Sequence, residues 1–132
     1  MINLRETEIR NESLELVVEV YRIANLIDDQ ERHELRMKLI DCAFMVSSSI
    51  AKAFIALQDD QFESDMAHAL RGIGSISGYL EEIDAENLLD HTEVQPLRDI
   101  LDSEGRELLQ LLSASQINNS YAFSPKLEKV CI

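Results

Sequence analysis

The side chains in this 132-residue sequence from which a reactive or metal-binding site could be built are few: three His, two Cys and one run of three Ser. Carboxylate-bridged metal sites in helical bundles need inward-facing Glu residues and two Glu-x-x-His pairs, because those spacings bring the ligands to one face. The chain offers Asp65-x-x-His68 alone; three residues before His33 and His91 stand Gln30 and Leu88. Ser47, Ser48 and Ser49 are consecutive, so on a helix they point in three directions, and no His lies near them in sequence to activate one. No His follows an Arg with four to six residues between them, the spacing used by helical ribonuclease domains. Cys42 falls inside a helical pattern and Cys131 sits one residue from the end, which is no disulfide framework. The expectation is a chain without catalytic residues, metal site or cofactor, and hence not an enzyme.

Charge narrows the partners. The net charge is -13, and residues 59–107 carry 14 acids against 3 bases, while residues 1–58 carry 10 against 7. Phosphate binding depends on Lys and Arg displacing condensed counterions, so the acidic half argues against direct nucleic-acid binding and favours a basic protein partner. The first ten residues alternate charges without an apolar core, and nowhere do eighteen apolar residues run together. No membrane role is expected, and the reading is a cytoplasmic protein.

The elements that would position any site are helical. Four periodic segments run roughly over 13–27, 30–57, 60–89 and 93–117, followed by a tail over 118–132 that is flexible or folded back. Breaks between them are too short for crossovers, which predicts an all-α, antiparallel, up-down-up-down four-helix bundle over residues 1–117. Asp28, Asp59, Asp60 and the Thr92/Gln95 pair read as helix starts, since a side-chain oxygen there accepts from free N–H groups.

In the third segment Phe62, Met66, Ala69, Ile73, Ile76, Leu80 and Ile83 keep alternating spacings of four and three, a heptad seam. Leu35, Leu39, Cys42, Val46, Ile50, Ala53 and Leu57 repeat the theme in the second. The fourth has Val94, Leu97, Leu101, Leu108 and Leu112, with a turn skipped at Glu104 and Gly105.

One bundle core leaves apolar residues over. On the first helix Leu14, Val17, Val18 and Tyr21 cluster on one side, while Leu16, Val20, Ile23 and Ile27 cluster nearly opposite. On the second, Met37, Phe44, Ala51 and Ile55 lie half a turn from the main stripe. Leaving such side chains in water forgoes on the order of 1.5–3 kcal/mol each. We therefore expect an oligomer or partner interface made by Leu16, Val20, Ile23, Ile27, Met37, Phe44, Ala51 and Ile55. The alternative is coverage within one chain by the tail, through Tyr121, Phe123, Leu127 and Val130. Gly72, Gly74 and Gly78 interrupt the third helix at a cost, and the unbroken seam around them predicts close packing by a neighbouring helix.

Residues 21–53 carry a family resemblance. Glu31 and Leu35, then Val46, Ile50 and Ala51, match the second helix of a bacterial four-helix bundle family; that family includes proteins encoded by intervening sequences of 23S ribosomal RNA and accessory proteins of diversity-generating retroelements. Phe62, Met66, Ala69 and Gly74-Ser75 are similar to its third helix. The chain departs at Ile27-Asp28, Asp41-Cys42, Met45, Ser49 and Lys52-Ala53, where the family reads Phe-Pro, Arg-Ala, Ser, Asn and Glu-Gly. The resemblance implies a non-enzymatic subunit of a homo-pentamer and, for the retroelement branch, an accessory factor binding nucleic acid and a reverse transcriptase. Asp41 in place of Arg and the acidic half disfavour the nucleic-acid contact and leave a basic enzyme as the partner. Two expectations stand: an oligomeric scaffold or adaptor for protein–protein contact, and, as the alternative, a nucleic-acid-associated accessory factor of a reverse transcriptase.

Overall fold

In the computed structural model, residues 4–27, 30–55 and 61–122 are described. They form α1 (Leu4–Leu26), a 3-10 turn (Gln30–Arg32), α2 (His33–Ile55), α3 (Gln61–Ala85) and α4 (His91–Ala122), with no strand among them. Each helix packs on two others, α1 on α2 and α4, and α3 on α2 and α4, while the diagonal pairs make no comparable approach. That ring of contacts is a four-helix bundle.

The seams read from spacing form the core. All seven seam positions of α3, from Phe62 to Ile83, are buried, as are Leu35, Leu39, Val46, Ile50 and Ala53 of α2. In α4 the stripe does not skip a turn. Leu97, Leu101, Glu104 and Leu108 follow spacings of four, three and four, and Glu104 occupies the core position with 0% exposure.

Helix ends differ from the sequence reading. The first helix starts at Leu4 rather than Ser13, because Ile9 and Ser13 extend the buried stripe of Leu16 backwards at spacings of four and three. α3 ends at Ala85 in a left-handed Asn87 (φ 53°), with Asn87 N–H donating to the Asp84 carbonyl and Leu88 N–H to that of Ile83. This pair of bonds is the Schellman closure, and Asn tolerates the positive φ better than most residues.

The cap of α4 is Asp90, not Thr92. Its Oδ1 accepts from Thr92 N–H at 3.1 Å, and Gln95 turns instead to Asp99 at 2.8 Å. Pro96 is the sixth residue of α4, inside the helix rather than in the first turn expected for it, so its missing N–H leaves the Thr92 carbonyl four residues back without that helical bond. Residues 118–122, expected in the tail, continue α4, which runs on to Ala122. Asp28, Asp59, Asp60 and Leu57 lie outside the described residues, as do Phe123, Leu127 and Val130 of the tail.

Candidate functional site

The two apolar stripes of α1 have opposite fates. Leu16, Val20 and Ile23 are fully buried and Ile27 is 2% exposed, so these four expected interface residues belong to the chain's own core. A four-helix core needs one face from each helix, and Ile9, Leu16, Val20, Ile23 and Ile27 form the longer of the two stripes. The stripe left on the surface is the other one: Leu14, Val18 and Tyr21, at 59%, 66% and 41% exposure.

On α2 the expected residues do face outward. Met37, Phe44 and Ile55 are exposed and Ala51 is half-buried. Tyr21 and Phe44 then join the two stripes, their rings meeting edge to face with centroids 5.9 Å apart and planes at 83°. The result is one apolar face spanning α1 and α2, with an aromatic pair within it.

Beside that face an open groove of about 620 Å³ runs between α2 and α3. Close packing defines one end of it. A Cβ on Gly72 would stand 2.6 Å from Val46 Cγ2 and 2.8 Å from Met45 Cε, so only Gly lets the two helices meet there. Gly74 and Gly78 have nothing within 4 Å of an added Cβ; they lie on the outside of α3, and the close packing expected of all three belongs to Gly72 alone. Further along, Ser48, Ser49 and Ser64 are too small to fill the space between the helices, and Asp41, Phe44, Lys52, Asp65 and His68 complete the rim.

The groove brings Asp65 and His68 together with Ser48 and Ser49, yet not as a catalytic set. His68 Nδ1 lies 3.2 Å from Arg71 Nη2. A guanidinium can only donate, so Nδ1 is the acceptor, and the Ser48 hydroxyl points back to the Met45 carbonyl. Among the described residues no group of three His, Cys, Asp or Glu is arranged to hold a metal ion. Burial pushes the Cys42 thiol up in pKa, against the opposing effect of a hydrogen bond with Tyr79, which leaves it a poor nucleophile.

The contact between α1 and α4 carries several polar ties beside its apolar core. Arg5 donates to Gln110 at 3.0 Å, and Arg22 donates to the carboxylate and the carbonyl of Glu93 at 2.9 and 2.5 Å. Between these ties Ser103 donates to Glu12 Oε2 at 3.0 Å, and Glu104 is buried alongside. With both Glu side chains ionised, Glu12 Oε1 and both oxygens of Glu104 lack a donor among the described residues. Burial pushes the Glu104 pKa up to about 9, helped by a hydrogen bond to Glu12 and by the charges of Glu12, Glu107 and Glu15. Glu104 is therefore a neutral acid near pH 7, donating to Glu12. Sequence reading passed over it as an interruption; its place in the four-three spacing was the available signal.

No protein-family model and no curated protein matches the sequence. The fold itself is shared. A solved protein of unknown function from the S23 ribosomal protein family of Bacteroides thetaiotaomicron superposes with a TM-score of 0.76, over 83% of this chain and 99% of that one. Identity is 14%, so the likeness concerns the fold alone. This chain is thus an all-α four-helix bundle protein with the fold of that S23-family member. No helix among its described residues is long and apolar enough to cross a membrane.

Proposed function

We propose that this chain is a non-enzymatic scaffold that assembles with copies of itself through the outer face of α1 and α2 and meets a basic protein with its acidic half. One observation carries the reading: Leu14, Val18, Tyr21, Met37, Phe44 and Ile55 are all more than 40% exposed, on two neighbouring helices linked by the Tyr21–Phe44 contact. Apolar side chains grouped in this way, rather than scattered singly, mark an interaction surface.

The family resemblance supplies the subunit number, five, and a reverse transcriptase as the kind of basic partner. Asp41 and the 14 acids against 3 bases of residues 59–107 favour protein over nucleic acid as what that half meets. Light scattering coupled to size exclusion tests the assembly. A mass near five times 15.0 kDa is expected. A monomer at micromolar concentration overturns self-association.

A further inference from the structure

Leu14, Val18 and Tyr21 stand exposed on α1 at spacings of four and three. Phe123, Leu127 and Val130, in the stretch that follows α4, repeat the same spacings. Two stripes of one period can pack ridge into groove when both are helical, because steps of four and three return to one face of each helix. Charge agrees with that pairing. Residues 123–132 carry Lys126 and Lys129 against Glu128 alone, a net +1 in a chain of net -13. Asp41 is exposed three residues before Phe44 on α2 and sets a carboxylate at the rim of the apolar face.

Length decides which copy of the face this stretch can reach. Arg5 bonds Gln110 and Arg22 bonds Glu93, so residue numbers fall along α4 as they rise along α1. From Gln110, α4 runs on to Ala122, about 18 Å at 1.5 Å per residue, in the direction away from Tyr21. Tyr21 lies about 24 Å from Arg5 the other way along α1. Ala122 and the Tyr21–Phe44 pair are therefore about 42 Å apart along the bundle. A fully extended chain spans at most about 3.6 Å per residue, so Val130 reaches no more than about 29 Å from Ala122. Leu127 and Phe123 reach less far. Coverage within one chain, the alternative to an interface, thus fails at this pair on length. α4 instead carries the chain off the opposite end of the bundle, where a second copy can meet it.

We propose that residues 123–132 of one copy dock on the α1/α2 face of another, with Phe123, Leu127 and Val130 laid along the Leu14–Tyr21 stripe and the two lysines toward Asp41. The proposal rests on the reading that this face joins copies of the chain, and it names the segment that joins them. Arm and face are different surfaces, so the contact is head-to-tail and repeats from copy to copy until a ring closes.

The test is made in the full chain. Leu127→Asp should raise the concentration of half-dissociation at least tenfold, read by light scattering, with circular dichroism unchanged. Ser124→Asp adds the same charge between Phe123 and Leu127 but off their stripe, and should leave that concentration as in the parent. Parent-like assembly of Leu127→Asp, or equal losses in the two variants, overturns the arm. A spin label reads the same contact directly. Cys42→Ala chains labelled at Cys131 are equilibrated with isotope-labelled Cys42→Ala/Cys131→Ala chains, so that any broadening in the latter comes from another copy. Amides of residues 14–21 and of Phe44 should broaden; no broadening there overturns the arm. The outcomes separate the two readings. An oligomer indifferent to Leu127→Asp sinks the arm and leaves the faces meeting one another, whereas a monomeric parent sinks self-association and the arm with it.

Discussion

Tyr21 and Phe44 meet edge to face on the outside of the bundle, 5.9 Å between ring centroids, each more than 40% exposed. Such a pair contributes about 0.5–1.5 kcal/mol beyond its area burial, and here it couples α1 to α2 while leaving both rings open to a further surface.

From this pair follows a contrast between two substitutions to Asp. Phe44→Asp should dissociate the assembly while far-ultraviolet circular dichroism stays within a few per cent of the parent. Ile23→Asp, which puts a charge into the core at a site of 0% exposure, should cost about 3–5 kcal/mol and unfold the chain. If both variants unfold alike, Phe44 belongs to the core and the surface assignment fails.

Glu104 makes stability depend on pH in a direction opposite to that of a salt-bridged carboxylate. Its folded pKa of about 9 lies above the ordinary 4.5, so the native state holds a proton that the unfolded chain releases. The stabilisation is full below about pH 4.5 and is lost as pH rises toward 9, at up to about 1.4 kcal/mol per pH unit. Urea midpoints measured from pH 5 to 9 should fall steadily. Glu104→Gln keeps a donor for Glu12 without a titrating proton and should flatten that slope; an unchanged slope would place the titration elsewhere.

The glycines of α3 should respond with opposite signs. Gly72→Ala drives a methyl into Val46 and Met45 and should cost about 1–3 kcal/mol. Gly74→Ala and Gly78→Ala meet open space and should each stabilise the folded chain by about 0.5–1 kcal/mol, read as raised melting temperatures. A gain at Gly72 would mean that α2 and α3 do not touch there.

Asn87 and Asp90 close and reopen the helical path between α3 and α4. Asn87→Gly should be neutral or stabilising, since Gly adopts positive φ without strain, whereas Asn87→Val should cost about 1 kcal/mol or more. Asp90→Ala should cost about 1 kcal/mol through the lost acceptor for Thr92 N–H. Denaturant midpoints of the three variants check both caps.

Much of this bundle was legible before any coordinates. The seam from Phe62 to Ile83 and the stripe from Leu35 to Ala53 carry their burial in their spacing, because a helix returns to the same face every three or four residues. The helix ends were less legible. Thr92 with Gln95 and Asp90 with Glu93 both satisfy the local pattern of a helix start, and the structure uses Asp90, whose Oδ1 and carbonyl take the Thr92 and Glu93 N–H groups.

The chain alone also determined that its first two helices hold more apolar surface than one bundle face uses. Which surface stays outside was a tertiary decision. Leu14-Val18-Tyr21 and Leu16-Val20-Ile23 are both acceptable stripes on an isolated helix, and only packing against α2 and α4 turns the second inward. The same holds for Gly72 against Gly74, and for Glu104. Periodicity fixes the angle at which a side chain leaves its helix, while what it meets there is set by elements distant in sequence.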